Sequence, residues 1–198
     1  AGKWTGTMNL TEPQAGSDVG ALKTKAVPNK DGSYAISGQK IFITWGDHEL
    51  SENIVHFVLA RIDGAPDGVR GISMFLVPKF LVGDDGEIGA RNDLRATSLE
   101  HKLGIHCSPT CVMSFGDNDG AIGYLVGEEG KGLHQTLSTL DGGRISIGAI
   151  SVGLAQAAFE YATNYARERQ AFGKPIADLQ AIQWMLAEMA TQIEAART

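Results

Sequence analysis

Cysteine is nearly absent. The chain has only Cys107 and Cys111, and zinc normally takes four ligands at a paired spacing that is missing here. His101 and His106 lie close in sequence. A regular strand would put both thiols on one face, but Pro109 falls between them. No metal site is expected, and the two thiols read as reduced cysteines of a reducing compartment. Excess positive charge is absent too. Lys and Arg number 17 against 23 Asp and Glu, a formal net charge of -6, so there is no electrostatic footprint for nucleic acid. No run of apolar residues is long enough to span a bilayer, and no membrane partner is expected. The opening "AGKWTGTMNL" lacks the charged head, apolar core and cleavage site of a signal peptide. It also lacks an initiator Met and begins almost inside an element, which suggests a fragment of a longer chain. "GEEGKGL" is not a phosphate loop, because it has neither the Lys-Ser/Thr ending nor the strand-G-x-G-x-x-G-helix order.

What is present falls into two patterns. The first two thirds read as short strands: Tyr34 to Thr44, broken into a tight hairpin at Ser37-Gly38, then Asn53 to Ile62, Gly71 to Pro78 and "PTCVMSFG". Glycine-rich turns such as "KDGSY" and "GAPDGVRG" separate them, and strands at this spacing predict an antiparallel barrel or sandwich. Near residue 127 the pattern changes. "GEEGKGL" reads as a linker into a helix over about His134 to Arg169, with Ile145, Ala149, Val152, Gln156, Phe159 and Ala162 recurring at three and four. A second helix from Asp178 or Leu179 repeats that spacing with Ile182, Leu186, Met189 and Ile193. Gly173 and Pro175 end the first helix, so the pair forms a helical hairpin.

One stretch stands apart. In "MNLTEPQAGSD", Met8 to Leu10 can be a strand, but Pro13 removes a backbone donor and Gly16 invites a turn. A strand that runs out into a polar, glycine-bearing loop is a common setting for a ligand, and also an ordinary strand-to-turn transition.

Three ordered motifs, "MNLTEPQAGSD", "ISGQKIFITWG" and the helical stretch from "LDGGRISIGAISVGLAQ" through "RERQAFGKPIADLQAIQWMLAEMATQIEAAR", resemble the acyl-CoA dehydrogenases. The similarity covers essentially the whole chain. It implies an α+β fold: an antiparallel β-barrel-like domain over residues 1–126, followed by a long helical hairpin, a partial four-helix bundle, over 127–198. It also implies FAD as cofactor and an acyl-CoA substrate. The positions matching Met8, Leu10 and Thr11 approach the flavin's pyrimidine edge, largely through backbone groups. Phe42 stands where an aromatic residue packs on the ring, Ile43 and Thr44 follow it, and Thr44 matches a threonine that bonds the redox-active nitrogen. Without the resemblance, core packing of a strand is the better account of Phe42 and Ile43. Ser17 matches a serine that contacts CoA. Asp141 and Arg144 match a CoA-holding pair, although three residues apart on a helix they also suit a surface ion pair. Arg169, Phe172 and Gln180 match a contact to the FAD of a neighbouring subunit, where Arg pairs with pyrophosphate. Ala171 stands where the family often has Thr or Ser.

The resemblance further implies a homo-oligomer, an electron-transfer flavoprotein as partner of the full-length protein, and a cytoplasmic location, or the mitochondrial matrix in a eukaryote. Family members are roughly twice as long. Their usual catalytic glutamate lies in helices not included in this sequence, and an alternative position for it, just before the arginine of the long helix, is Gly143 here. No catalytic residue is therefore assigned, and the isolated chain is expected to be inactive. The stretch from Gly83 to Glu129 resembles a branch with an enlarged loop, whereas the helices from Leu140 look like the short-chain branch, as in a hybrid or in a natural member that mixes the two. Two rivals stand beside this reading. One is an acyl-CoA oxidase or nitroalkane oxidase on the same fold, and the other is a non-catalytic oligomerising module.

Overall fold

The computed structural model describes residues 2–198. The chain divides into two compact units, Ala1–Leu137 and Ser138–Thr198.

Among the described residues, the first unit is built on ten strands: β1 (Trp4–Asn9), β2 (Lys25–Pro28), β3 (Tyr34–Thr44), β4 (Asn53–Ile62), β5 (Ile72–Pro78), β6 (Phe80–Val82), β7 (Ile88–Arg91), β8 (Leu94–Leu99), β9 (Thr110–Phe115) and β10 (Ala121–Val126). β6 and β7 pair with each other, and the other eight form one sheet. Its closure can be traced by pairing. β4 pairs with β5, β5 with β10, β10 with β3, β3 with β2, and β2 returns to β4. This ring is the expected barrel-like arrangement, and closing a sheet removes its edges. Two of the pairings, β1 with β4 and β2 with β4, are parallel. The strands read from sequence as antiparallel thus include two parallel contacts, made by segments far apart in the chain.

The apolar alternation of these strands fills the ring. Ile36, Val58, Ala60, Phe75, Val77, Met113 and Phe115 are buried in one cluster, and Phe75 stacks edge-on against Tyr34 at 5.0 Å. The hairpin expected at Ser37-Gly38 is not there: β3 runs through it unbroken. Ser-Gly is a turn signal, but this glycine serves close approach. At φ 155° its missing Cβ leaves room for Thr24, whose Cα would otherwise lie 2.8 Å from it. β3 also changes partners here. Residues before Gly38 pair with β2 and β10, and those from Gly38 onward pair with β9. The two cysteines do not share a face. Cys107 is exposed in the loop before β9 and Cys111 is buried in it. Among the described residues, no group of three or more His, Cys, Asp or Glu could hold a metal.

α1 spans Gly132–Glu168 and α2 spans Gln180–Arg197. In the second unit the two helices face each other across a cleft of about 390 Å³ lined by Val152, Ala155, Met189 and Ile193. The half-buried positions follow the 3–4 spacing, with Val152, Gln156, Phe159 and Ala162 on α1 and Ile182, Leu186 and Met189 on α2, while Ile193 is buried. Ile145 and Ala149 continue the same stripe but are exposed. α2 is too short to reach them. It ends at Arg197, whose guanidinium donates to the Gln156 side-chain oxygen at 3.0 Å. Gln156 is thus the polar tie at the open end of the hairpin. Ile147, Ile150, Leu154, Tyr161, Trp184 and Met185 are also exposed. By length and composition α1 is long and apolar enough to cross a membrane. The sequence expectation missed this because Arg144 and Gln156 interrupt the apolar run without making the helix polar on average.

Candidate functional site

β1 lies parallel to β4, with Met8 opposite Phe57 and Thr7 opposite His56. Strand alternation sends Thr7 and Asn9 inward and leaves Met8 half-exposed. After Asn9 the chain leaves the strand, and the "TEPQA" segment closes a tight turn. Glu12 N–H donates to Ala15 O, and Ala15 N–H donates to Glu12 O, both at 3.0 Å. Pro13, between them, donates nothing and is not asked to.

Opposite this segment β3 bulges. Its register against β9 shifts between Lys40 and Ile43. Phe42 stands in the bulge at φ 62°, and Trp45 follows at φ 55°. A left-handed backbone at a bulky aromatic residue is costly, and such outliers collect at functional sites. The bulge turns Phe42 outward, 59% exposed, and turns Ile43 inward, 2% exposed in the core.

The result is a concavity of about 600 Å³ between β1, the bulge and the following loop, lined by Met8, Phe42, Thr44, Trp45, His48 and Thr5 among others. That is the size of an ordinary small-molecule pocket. Its rim is polar. Leu50 N–H donates to His48 Nδ1 at 3.1 Å, which leaves Nε2 to carry the proton and donate to Thr5 Oγ1 at 3.3 Å. Asp47 holds the same loop through Lys79 at 2.9 Å and Arg91 at 2.8 Å.

Two buried polar groups back the wall. Lys40 Nζ, fully buried, meets Glu12 Oε1 at 2.8 Å and Leu10 O at 3.0 Å. Glu12 also accepts from Lys23 N–H, Thr24 N–H and Thr24 Oγ1. Burial pushes the Glu12 carboxyl up, but the Lys40 charge and these hydrogen bonds outweigh it and bring it down to about 2. Beside them, Asn9 Nδ2 donates to Thr7 Oγ1 at 2.8 Å, and Thr7 Oγ1 lies 2.7 Å from His56 Nδ1. Burial pulls the His56 imidazole down to about 4, against the opposing pull of Asp47. Thr7 Oγ1 accepts from Asn9 and either donates to or accepts from His56 Nδ1, according to the imidazole tautomer. Nε2 and Asn9 Oδ1 have no hydrogen-bond partner among the described residues. Lys40, Glu12, Thr7, Asn9 and His56 were not singled out from the sequence as contributors to the wall. The available signal was a lysine on the buried side of a strand, two residues before the aromatic.

Of the residues expected at a flavin site, Met8, Phe42 and Thr44 come together in this concavity. Leu10 and Thr11 sit just beyond it, half-buried. Their carbonyls are already engaged, Leu10 O by Lys40 and Thr11 O by Ile41 N–H at 2.9 Å. Ile43 can offer only backbone groups. Ser17 is exposed beyond the tight turn. In the second unit, Asp141 and Arg144 form an exposed ion pair of 2.9 Å one helical turn apart. Arg169 closes α1, with its N–H on Tyr165 O and its own carbonyl accepting from Ile176 N–H, both at 2.9 Å. A two-residue turn of Phe172 and Gly173 follows, flanked by the pairs Gln170–Pro175 and Ala171–Lys174. Phe172 is 91% exposed at φ 53°, so the hairpin presents it at its tip. Gln180 is exposed at the start of α2.

A closed barrel with an aromatic bulge, followed by a long helical hairpin, defines a two-part architecture that matches known family models in the same order. Residues 7–118 match the acyl-CoA dehydrogenase middle domain and residues 130–198 the acyl-CoA dehydrogenase C-terminal domain. The chain belongs to the acyl-CoA dehydrogenase family. It is 56% identical over 168 residues to the 3-methylmercaptopropionyl-CoA dehydrogenase of Ruegeria pomeroyi, an alignment covering 85% of this chain and 28% of that protein. The structure of butyryl-CoA dehydrogenase from Megasphaera elsdenii superposes with a TM-score of 0.76 at 36% identity, covering 97% of this chain and 46% of that one. A chain solved in work on the electron transferring flavoprotein of Acidaminococcus fermentans gives 0.77 at 38% identity, with 97% and 46% covered. The chain thus spans under half the length of each.

Proposed function

We propose that the chain is the flavin-facing barrel and the first helices of an FAD-dependent acyl-CoA dehydrogenase, which forms a double bond next to a thioester. The observation that carries this reading is Phe42, an exposed aromatic held at φ 62° beside Met8 and Thr44 in one concavity. Bound FAD would supply the hydride acceptor that no side chain can provide. Phe42 offers a flat apolar face to a ring, and the exposed Thr44 hydroxyl a donor to its polar edge. With their carbonyls occupied, Leu10 and Thr11 would contribute N–H groups, and Thr11 its hydroxyl. Ser17, Asp141 and Arg144 would hold CoA. Arg169, Phe172 and Gln180 would complete the FAD site of a second copy, and the exposed apolar residues of α1 and α2 favour such an oligomer. Transfer of electrons onward to an electron-transfer flavoprotein goes with the same reading.

Removing an α-proton needs a base within reach of that carbon. Gly143 has open space around it and no carboxylate, so this chain is expected not to turn over, and FAD binding is expected to be weak because half of its contacts would come from the Arg169, Phe172 and Gln180 of a second copy. The test is a fluorescence titration with FAD, followed by anaerobic mixing with short-, medium- and long-chain acyl-CoAs and an electron-accepting dye. Saturable FAD binding without bleaching is expected. Absence of any FAD binding would remove the flavin wall, and substrate-dependent bleaching abolished by Thr44→Val would reveal a base within this chain.

A further inference from the structure

We propose that Lys40 and Glu12 are positioning residues: their buried pair locks the end of β1 onto the β3 bulge and so fixes the Phe42 wall. The proposal rests on the flavin reading for its purpose but not for its geometry. Three contacts bridge the two segments in consecutive steps. Lys40 Nζ reaches Glu12 Oε1 at 2.8 Å and Leu10 O at 3.0 Å, and Ile41 N–H donates to Thr11 O at 2.9 Å. Phe42 follows immediately, in the bulge and in the left-handed region. That conformation persists only where the surroundings over-determine it. Phe42 itself is mostly exposed and has little packing of its own to hold it there.

Charge is an expensive way merely to fill this space. Both side chains are buried, and a buried ion pair can often be replaced by apolar groups at no loss of stability. What apolar groups cannot do is aim. The Lys40 ammonium joins the Leu10 carbonyl and the Glu12 carboxylate of the segment after β1, and that carboxylate is in turn held by Lys23 N–H, Thr24 N–H and Thr24 Oγ1 on the stretch leading into β2. The bulge is therefore referenced to two neighbouring segments at once. Supporting bonds of this kind keep a site's rotamers and backbone within the tolerance a ligand needs.

The test uses the whole chain and three variants, Lys40→Met, Glu12→Gln and Lys40→Arg, compared by amide hydrogen exchange, thermal unfolding and FAD titration. Glu12→Gln keeps the size of the original and one of its two acceptor oxygens, so it stays informative if Lys40→Met does not fold. Exchange at Ile41 and Phe42 is expected to rise about tenfold or more, the scale for losing a charge-assisted bond, while the amides of β4 and β5 stay protected. Lys40→Arg is expected to recover part of the protection. FAD affinity should fall alongside local protection, not alongside the melting temperature. Uniform acceleration across β4, β5 and the bulge would show a purely structural pair, and unchanged exchange at Ile41 in a folded variant would overturn the proposal. If the wild-type chain binds no FAD, the flavin reading fails, while the exchange data still decide the clamp.

Discussion

His56 should make this protein lose stability on mild acidification, well before its carboxylates titrate. The imidazole is fully buried on β4, and burial brings its folded value to about 4 from an ordinary 6.5. The folded state thus disfavours the charged form. Stability is complete above 6.5 and is lost as pH falls from 6.5 toward 4, because the unfolded chain takes up a proton the folded one refuses. The full difference corresponds to about 3 kcal/mol, and the part between pH 7 and pH 5 to about 2 kcal/mol. Glu12 acts in a lower window. Its folded value is depressed to about 2 from 4.5, so its contribution is present above 4.5 and disappears as pH falls through 2. The interval from 7 to 5 therefore isolates His56. The assay is urea unfolding followed by tryptophan fluorescence at both pH values, in a Trp184→Phe background so that Trp4 and Trp45 report on the barrel alone. His56→Gln keeps an acceptor for Thr7 and cannot titrate. It is expected to be nearly flat between pH 7 and 5, whatever its absolute stability. An equal drop in wild type and variant would refute the assignment.

Three further outcomes are expected. Arg169→Ala should weaken FAD binding and leave thermal stability unchanged, because the side chain is exposed; retention of stoichiometric FAD through dialysis by the variant would argue against a shared site. Gly143→Ala adds a methyl group that meets nothing within 4 Å and should stabilise α1 by up to about 1 kcal/mol, read by circular dichroism on heating. Asp141→Asn combined with Arg144→Gln should cost less than about 1 kcal/mol of stability but reduce CoA binding measured by calorimetry, and unchanged CoA binding would leave the pair a surface contact only.

Much of the architecture could be read from residue patterns, for reasons that also explain the failures. β4 was legible to the residue because it alternates between two buried faces and has clean turn signals on either side. Helix α2 was legible because its stripe has one partner along its full length. β3 was misread at Ser37-Gly38 because a glycine needed for close approach to Thr24 has the same letter as one needed for a turn. The α1 stripe was legible as a face, but its exposed end at Ile145 was not, because periodicity does not report whether anything covers a face. At the site, Phe42 and Thr44 were legible through motif resemblance. The buried support behind them was not: a lysine on the buried side of β3 is a local signal, but nothing local marks its partner, a glutamate 28 positions earlier, and a histidine inside a strand looks like any other polar residue there.

The closed ring of the barrel also sets an order of events in synthesis. β10, Ala121–Val126, fills the gap between β5 and β3, and β9 pairs with the outer half of β3. The sheet β3-β2-β4-β5 can form as soon as Pro78 has emerged, but it then has open flanks on both β3 and β5. At ordinary ribosomal speed the stretch up to Ala121 takes roughly two to ten seconds to make. For that interval the nascent chain carries two unpaired strand edges of the kind that chaperones cover and that otherwise recruit neighbouring chains.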